Sequence, residues 1–170
     1  MSIRGERIII TLLGKRNAGK SSLINAITNQ EIAIVSATPG TTTDPVAKRY
    51  ELVPIGPVTL YDTAGLDDVG ELGKKRVDST FKVLFRTDIA ILVSDGLAFD
   101  SSELEMIERL KELKISFVVA FNQMDLREAA QANVDFCEQN QIKYVRVSSA
   151  TKEGVDELKE LLIGLAPQAQ

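Results

Sequence analysis

The sequence predicts an α/β domain of doubly wound topology: a mostly parallel six-stranded sheet with one antiparallel edge strand and helices on both faces. Three observations carry this prediction. Short apolar, β-rich runs alternate with helix-like stretches along the chain. The runs are continuous apolar blocks, as expected of strands buried on both faces, where half-exposed strands would alternate apolar and polar residues. Each is followed by a polar or glycine-containing turn, and in such sheets ligands bind beyond the carboxyl ends of the strands.

The first strand is Ile8–Leu13, followed by a helix over Lys20–Thr28. A strand at about Lys48–Val53 meets the Pro54-Ile55-Gly56-Pro57 turn and then Val58–Tyr61, a link so short that the two must be antiparallel neighbours at an edge. A helix over about Leu72–Phe85 leads to the strand Ile89–Val93. The next helix, Ser101–Leu113, is expected to start on a capping box of Ser102 and Glu105. The strand Phe117–Phe121, the helix Arg127–Asn140, the strand Tyr144–Val147 and the helix Glu153–Leu165 complete the domain. Residues 1–166 form the domain, and 167–170 read as a linker or chain end.

Composition limits the function. A chain of 170 residues with 44% hydrophobic and 26% charged residues forms one globular core. Its net charge of −4, from 24 acidic and 20 basic residues, gives no whole-domain attraction to nucleic acid or to an anionic membrane. The single cysteine, Cys137, forms no internal disulfide and no cysteine cluster, which fits a cytoplasmic setting. With no histidine in the chain, the commonest general base and metal ligand are both missing, so any hydrolysis must rely on positioning, cations and carboxylates. The polar start, Met1–Arg7, and the short apolar run behind it give no signal peptide or membrane span.

Gly14-Lys15-Arg16-Asn17-Ala18-Gly19-Lys20-Ser21 follows the first strand and opens the first helix, the context of a phosphate-binding P-loop. The two glycines let the backbone curl its N–H groups around an anion, and the helix N-terminus adds partial positive charge. Residues Asn17 to Ser22 (Asn17, Ala18, Gly19, Lys20, Ser21 and Ser22) are expected to line the phosphates, with Lys20 on the β- and γ-phosphates and Ser21 on Mg²⁺. Adenine and guanine nucleotides share such a loop, so the base must be read elsewhere.

Asn122-Gln123-Met124-Asp125, directly after Phe117–Phe121, resembles the NKxD guanine-recognition motif of GTPases. The Asp125 carboxylate only accepts hydrogen bonds, which suits the N1–H and 2-amino donors of guanine and mismatches adenine. Ser149-Ala150-Thr151 resembles the SAK loop, whose backbone N–H meets guanine O6, so Asn122, Asp125, Ser149 and Ala150 form the expected base site. Gln123 stands where that motif has a lysine whose stem packs along the nucleotide. Asp62-Thr63-Ala64-Gly65 matches DxxG, in which the carboxylate acts on Mg²⁺ through water and the Gly65 amide detects the γ-phosphate. Leu66 follows, where many signalling GTPases have the glutamine that orients water. In Gly40-Thr41-Thr42-Thr43-Asp44, Thr42 is expected to reach Mg²⁺ when GTP is bound. Lys20, Thr42, Asp62 and Gly65 are the catalytic candidates.

Taken together, Asn17, the 40–44 run, Asp62 to Leu66 and Asn122 to Asp125 resemble the tRNA-modification (TrmE), Era and EngA superfamily of bacterial P-loop GTPases, over nearly the whole chain. The resemblance implies a Ras-like fold, GTP and GDP as ligands, Mg²⁺, and slow hydrolysis stimulated by K⁺. Asn17, the backbone around Ser36 and Thr38, and Thr41 would form the K⁺ shell. Asp68 and Glu71 are the nearest carboxylates to a water-orienting position, while Lys74-Lys75-Arg76 reads as a mixed-charge helix face. Arg4-Gly5-Glu6-Arg7, Thr43-Asp44-Pro45-Val46, Pro54 to Val58 and Gly65-Leu66-Asp67-Asp68 most resemble the FeFe-hydrogenase maturation (HydF) GTPases. That likeness implies protein partners in hydrogenase maturation, together with dimerisation and iron–sulfur domains elsewhere in a parent chain. No cluster is expected here, since Cys137 reads as a half-buried small hydrophobe. Two alternatives stay open: a nucleotide-sensing module with negligible hydrolysis, and a ribosome- or tRNA-associated GTPase.

Overall fold

The computed structural model describes residues 8–15, 18–28, 46–63 and 84–166. Within them are six strands: β1 Ile8–Leu13, β2 Val46–Leu52, β3 Gly56–Asp62, β4 Ile89–Ser94, β5 Ser116–Phe121 and β6 Lys143–Arg146. Four helices, α1 Lys20–Thr28, α2 Ser101–Glu112, α3 Gln131–Gln139 and α4 Val155–Leu165, alternate with them. The strands form one sheet in the order β2-β3-β1-β4-β5-β6. Only the β2–β3 pair is antiparallel, with Val46 opposite Asp62 and Leu52 opposite Gly56. Strand β1 lies parallel to both β3 and β4, so Ile10 stands beside Leu60 on one side and Ile89 on the other.

The continuous apolar blocks have a simple cause. Every residue of β4 is buried, because alternate side chains enter two separate cores. Ile89, Ile91 and Val93 join Ile10, Leu12, Val118 and Ala120 beneath α1 and α4. Ala90 and Leu92 join Leu13, Val119 and Phe121 beneath α2 and α3. Each fully buried leucine or isoleucine contributes about 1.5–3 kcal/mol through apolar burial, so the two cores fix the sheet's register. The ends of β1, β3, β5 and β6 thereby stay aligned along one edge, where the motif residues follow.

Several expected boundaries move. The edge strand begins at Val46, two residues before the expected Lys48, since its pairing with β3 runs to Asp62. Helix α2 is capped by Asp100: its side chain accepts from the Glu103 N–H, and the Glu103 carboxylate accepts from the Asp100 N–H. The expected Ser102–Glu105 box is therefore incorrect, and Ser102 Oγ instead donates to Asp100 Oδ1 at 2.7 Å. Helix α3 starts at Gln131 where Arg127 was expected, because residues 124–126 form a turn and the Ala130 N–H bonds Gly96 O at 2.8 Å. Helix α4 starts after Gly154, whose φ of +81° is left-handed. A Cβ there would lie 2.0 Å from Arg146 O, so this close approach to β6 requires glycine.

Cys137 is fully buried, deeper than the half-burial expected, and burial pushes its thiol up to about 11. Of the helix expected over Leu72–Phe85, only its last two residues fall within the described ones, with Leu84 buried and Phe85 exposed. Residues 1–7 and 167–170 lie outside them. Among the described residues, no helix is long and apolar enough to cross a membrane.

Candidate functional site

The loop between β1 and α1 is shaped by two glycines. Gly14 has a φ of +142°, and a Cβ on it would stand 2.3 Å from the Val93 carbonyl of β4. Gly19 has a φ of +86°, and a Cβ on it would stand 2.7 Å from Asn122 Nδ2. Close packing on β4 at one end and on the end of β5 at the other thus admits only glycine. Among the described residues of this loop, Ala18 N–H donates to Lys15 O, and the buried Lys20 ammonium donates to Gly14 O at 2.8 Å and Lys15 O at 3.1 Å. A cation is held inside the loop at the start of a helix, the arrangement that binds phosphate.

Just beyond, Ser21 Oγ donates to Asp62 Oδ2 at the end of β3. Burial lifts the Asp62 carboxyl above its ordinary value, against the opposing pull of the Ser21 hydrogen bond and the Lys20 charge. Next to it, Thr63 Oγ1 donates to Leu12 O at 2.8 Å and ties the end of β3 to β1. A hydroxyl and a carboxylate in contact form an all-oxygen donor set, which fits Mg²⁺. Among the described residues, no group of three or more histidines, cysteines, aspartates or glutamates could hold a metal by itself. Mg²⁺ at this point would depend on phosphate oxygens to complete its shell.

A cleft of about 300 Å³ opens beside the loop. It is lined by Gly19 and Ser22 at the start of α1, by Asn122, Gln123, Asp125 and Leu126 after β5, and by Ser149 and Ala150 after β6. Asn122 is 1% exposed and spends its carboxamide on protein groups. Its Nδ2 donates to Ala18 O at 2.9 Å and Gly19 O at 3.4 Å, while Oδ1 accepts from Ser149 N–H and Oγ at 3.2 and 3.1 Å. Asp125 reaches the cleft with one carboxylate oxygen accepting from Ser148 Oγ at 2.8 Å. A carboxylate offers about four acceptor positions, so this bond leaves capacity for two donors on a base edge.

Sequence reasoning missed Ser148. It is buried, and its hydroxyl also accepts from Thr151 N–H at 3.1 Å, so it orients Asp125 from the far loop. Its place beside Ser149 was the only signal. A second unforeseen group braces the phosphate loop from outside, where Lys15 Nζ lies 2.8 Å from Asp100 Oδ2 and 3.7 Å from Glu103 Oε1. The Asp100 hydrogen bond raises the Lys15 ammonium against its desolvation. Burial pushes Asp100 upward, but hydrogen bonds from Lys15, the Glu103 N–H and Ser102, together with the Lys15 charge, hold it down at about 2. Burial dominates at Glu103 and raises it to about 7, and among the described residues its Oε2 has no hydrogen-bond partner.

Of the expected site residues, Ala18, Gly19, Lys20, Ser21, Ser22, Asp62, Asn122, Asp125, Ser149 and Ala150 come together at this edge of the sheet. Asn17, Ser36, Thr38, Thr41, Thr42 and Gly65 lie outside the described residues, as do Leu66, Asp68, Glu71 and Lys74 to Arg76.

A P-loop on the end of β1, an acidic residue at the end of β3 and an Asn–Asp pair after β5 define a P-loop GTP-binding domain. The family model for 50S ribosome-binding GTPases matches residues 9–123, and the chain belongs to that family. It is 37% identical over 164 residues to the tRNA modification GTPase MnmE of Chromobacterium violaceum, covering 95% of this chain and 35% of that protein. MnmE of Natranaerobius thermophilus is 35% identical over 161 residues, covering 91% and 34%. The chain thus spans about a third of the length of these relatives. Aquifex aeolicus Era bound to GDP and AlF₄⁻ superposes with a TM-score of 0.80 at 20% identity, over 97% of this chain and 59% of that one. The G domain of the Thermotoga maritima FeoB iron transporter gives 0.68 at 25% identity, over 94% and 99%. These relatives place the chain in the TrmE, Era and EngA superfamily of GTPases.

The Lys15 cluster generates a pH dependence. Glu103 is raised in the fold from 4.5 to about 7, so the folded protein holds a proton that the unfolded chain has lost, and stability falls as pH rises through that interval. Asp100 acts oppositely, with stability gained as pH rises from about 2 to 3.8. Glu103→Gln is expected to flatten the decline between about pH 5 and pH 7, whose slope for one proton is at most ~1.4 kcal/mol per pH unit. Denaturant melts at stepped pH check this, and an unchanged slope in the variant would assign the proton to another group.

Proposed function

We propose that this chain is a slow, K⁺-stimulated GTPase switch, in which bound GTP orders residues 36–45 and 62–76 and hydrolysis releases them. The observation that carries the reading is the Asn122 bridge, which makes one continuous site of the loop that holds Lys20 and the pocket that holds Asp125. Lys20 would leave the loop carbonyls for the β- and γ-phosphate oxygens. Ser21 and Asp62 would hold Mg²⁺, which neutralises charge on those oxygens. Asp125, oriented by Ser148, would accept from guanine N1–H and the 2-amino group, with Ala150 N–H on O6. Thr42 and Gly65 would contact Mg²⁺ and the γ-phosphate respectively. Leu66 cannot orient water, so stabilisation of the transition state would come from Lys20 and from K⁺ bound by Asn17, the backbone at Ser36 and Thr38, and Thr41.

Two purposes for the switch have specific support. The relatives at 37% and 35% identity are named tRNA modification GTPases, which supports a tRNA-linked role, the better supported of the two. With a net charge of −4, such a contact would fall on a local patch or on a partner. The runs 43–46, 54–58 and 65–68 instead support the GTPase module of a hydrogenase metallocentre maturation scaffold. A purely sensing module differs from both by binding GTP without turnover.

Labelled GTP should be displaced by GDP and not by equal ATP, and Asp125→Asn should shift preference toward xanthine nucleotides, whose 2-oxo group needs a donor. Displacement by ATP as effective as by GDP would remove the base-site assignment. Single-turnover hydrolysis should be faster in K⁺ than in Na⁺ at equal ionic strength, and Asn17→Ala should erase most of the difference while GDP binding is retained. Because the cation acts on the transition state, kcat should change more than affinity. Equal rates in the two salts would leave Asn17 a loop brace, and no turnover in either would favour the sensing module. For the tRNA-linked role, anisotropy of labelled tRNA should show binding that weakens steeply between about 50 and about 200 mM salt. No binding at the lower salt, with hydrogenase maturation proteins retained on the GTP-loaded protein, would favour the metallocentre role.

A further inference from the structure

Strand β2 is an edge of the sheet, paired with β3 on one side and, among the described residues, with no strand on the other. An edge strand presents a row of unpaired backbone N–H and C=O groups, and proteins ordinarily blunt such an edge with charged side chains. The side chains of β2 divide by face. Tyr50 and Leu52 pack on the core beneath α1 and α4, Lys159 Nζ of α4 lies 5.7 Å over the Tyr50 ring, and Lys48 Nζ donates to Asn25 Oδ1 of α1 at 3.3 Å. Ala47, Arg49 and Glu51 alternate with these and are exposed. Across the hairpin they stand opposite Tyr61, Thr59 and Pro57. The two charges therefore meet no opposite charge on the strand they pair with.

The spacing of those charges is self-complementary about Tyr50. When a two-fold axis generates an antiparallel pair, the residue on the axis faces its own copy and the residues flanking it exchange partners. With the axis at Tyr50, Arg49 faces Glu51 of the copy and Glu51 faces Arg49. Lys48 then faces Leu52, and Ala47 faces Val53, a turn residue that is 74% exposed. Moving the axis by one residue sets Arg49 against Arg49 or Glu51 against Glu51, and like charges directly opposite one another are destabilising. Of these three registers only one joins opposite charges, and it also covers an exposed valine. Charges that repel in slipped registers thus select a single pairing.

We propose that the β2 edge is a homodimer surface, on which a second copy of this chain adds its own β2 antiparallel about a two-fold axis at Tyr50, with reciprocal Arg49–Glu51 pairs. The main-chain ladder supplies the attraction and the charge pairs supply the register. Both copies then carry α1 and α4 on the same side, and the two sheets continue into one. An interface made along a single strand edge is small, so the dimer is weak and reversible.

Sedimentation equilibrium of the intact chain at loading concentrations from about 1 to about 200 µM tests this, with circular dichroism to confirm that each variant is folded. The wild type should pass reversibly from monomer to dimer across that range. Arg49→Glu and Glu51→Arg should each weaken association at least about tenfold, because every cross-strand pair at these positions becomes like-charged. An equal mixture of the two variants should dimerise again, since two acidic positions on one chain then face two basic positions on the other. Arg49→Glu combined with Glu51→Arg in one chain should also return to within about threefold of wild type, because the exchanged charges again face each other. Arg49→Gln and Glu51→Gln, which remove one charge each, should weaken association less and serve if a reversal does not fold. A wild type that stays monomeric throughout, single variants that associate like the wild type, or failure of either the mixture or the exchanged chain to dimerise would overturn the inference.

Discussion

The site depends on a single buried carboxamide. Asn122 leaves the end of β5 with both sides of its amide committed, donating to the phosphate loop at Ala18 and Gly19 and accepting from Ser149 on the loop after β6. Three segments distant in sequence are therefore held at fixed spacing by one planar group. Its burial makes the arrangement stringent, because an amide or carbonyl left unpaired at such depth costs about 1–3 kcal/mol. Gly19 is glycine for the same reason: the Asn122 amide occupies the space a side chain would need.

The sheet supplies the frame for that contact. Because β4 is buried on both faces and β1, β4 and β5 run parallel, the loops after them emerge at one level, and the Asn122 N–H bonds Ser94 O at 2.7 Å as β4 ends. Charge is then distributed in two layers. In the inner layer Lys20 is bonded to loop carbonyls and Ser21 to Asp62. The outer layer, Lys15 with Asp100 and Glu103, grips the same loop from its back and ties it to the first turn of α2. Lys15 is thereby anchored to α2 by bonds separate from those that Lys20 makes to the loop carbonyls.

Much of this site is legible in sequence, because the P-loop is a local motif whose spacing is dictated by backbone geometry. The strands themselves were legible for a related reason, since burial on both faces leaves unbroken apolar blocks. What escaped depended on tertiary contact. Asp100–Glu103 and Ser102–Glu105 are overlapping capping boxes with the same three-residue spacing, and local chemistry cannot choose between them. The fold chooses the first because Glu103 faces the core and meets Lys15, while Glu105 points to solvent. The start of α3 failed likewise: Arg127 has good helix propensity, but its guanidinium is drawn to Asp95 and Gln123 and the chain turns before Gln131.

The two halves of the site are thereby separable in chemistry and joined by hydrogen bonds. Asp125 offers carboxylate acceptors and is oriented by Ser148, whereas Lys20 brings a positive charge onto the loop carbonyls. Asn122 nonetheless ties the loop that carries Lys20 to the loop after β6, and Arg127 NH1 donates to the Gln123 carboxamide oxygen next to it. The connection to Asp95 extends this chain of contacts to the loop after β4, whose neighbour Gly96 receives the Ala130 N–H and sets where α3 begins. A shift of the base loop must therefore either break the Arg127 bonds or carry the β4 loop with it. The segment after β5 and the start of α3 are thus joined to the loop after β4 by a continuous run of hydrogen bonds.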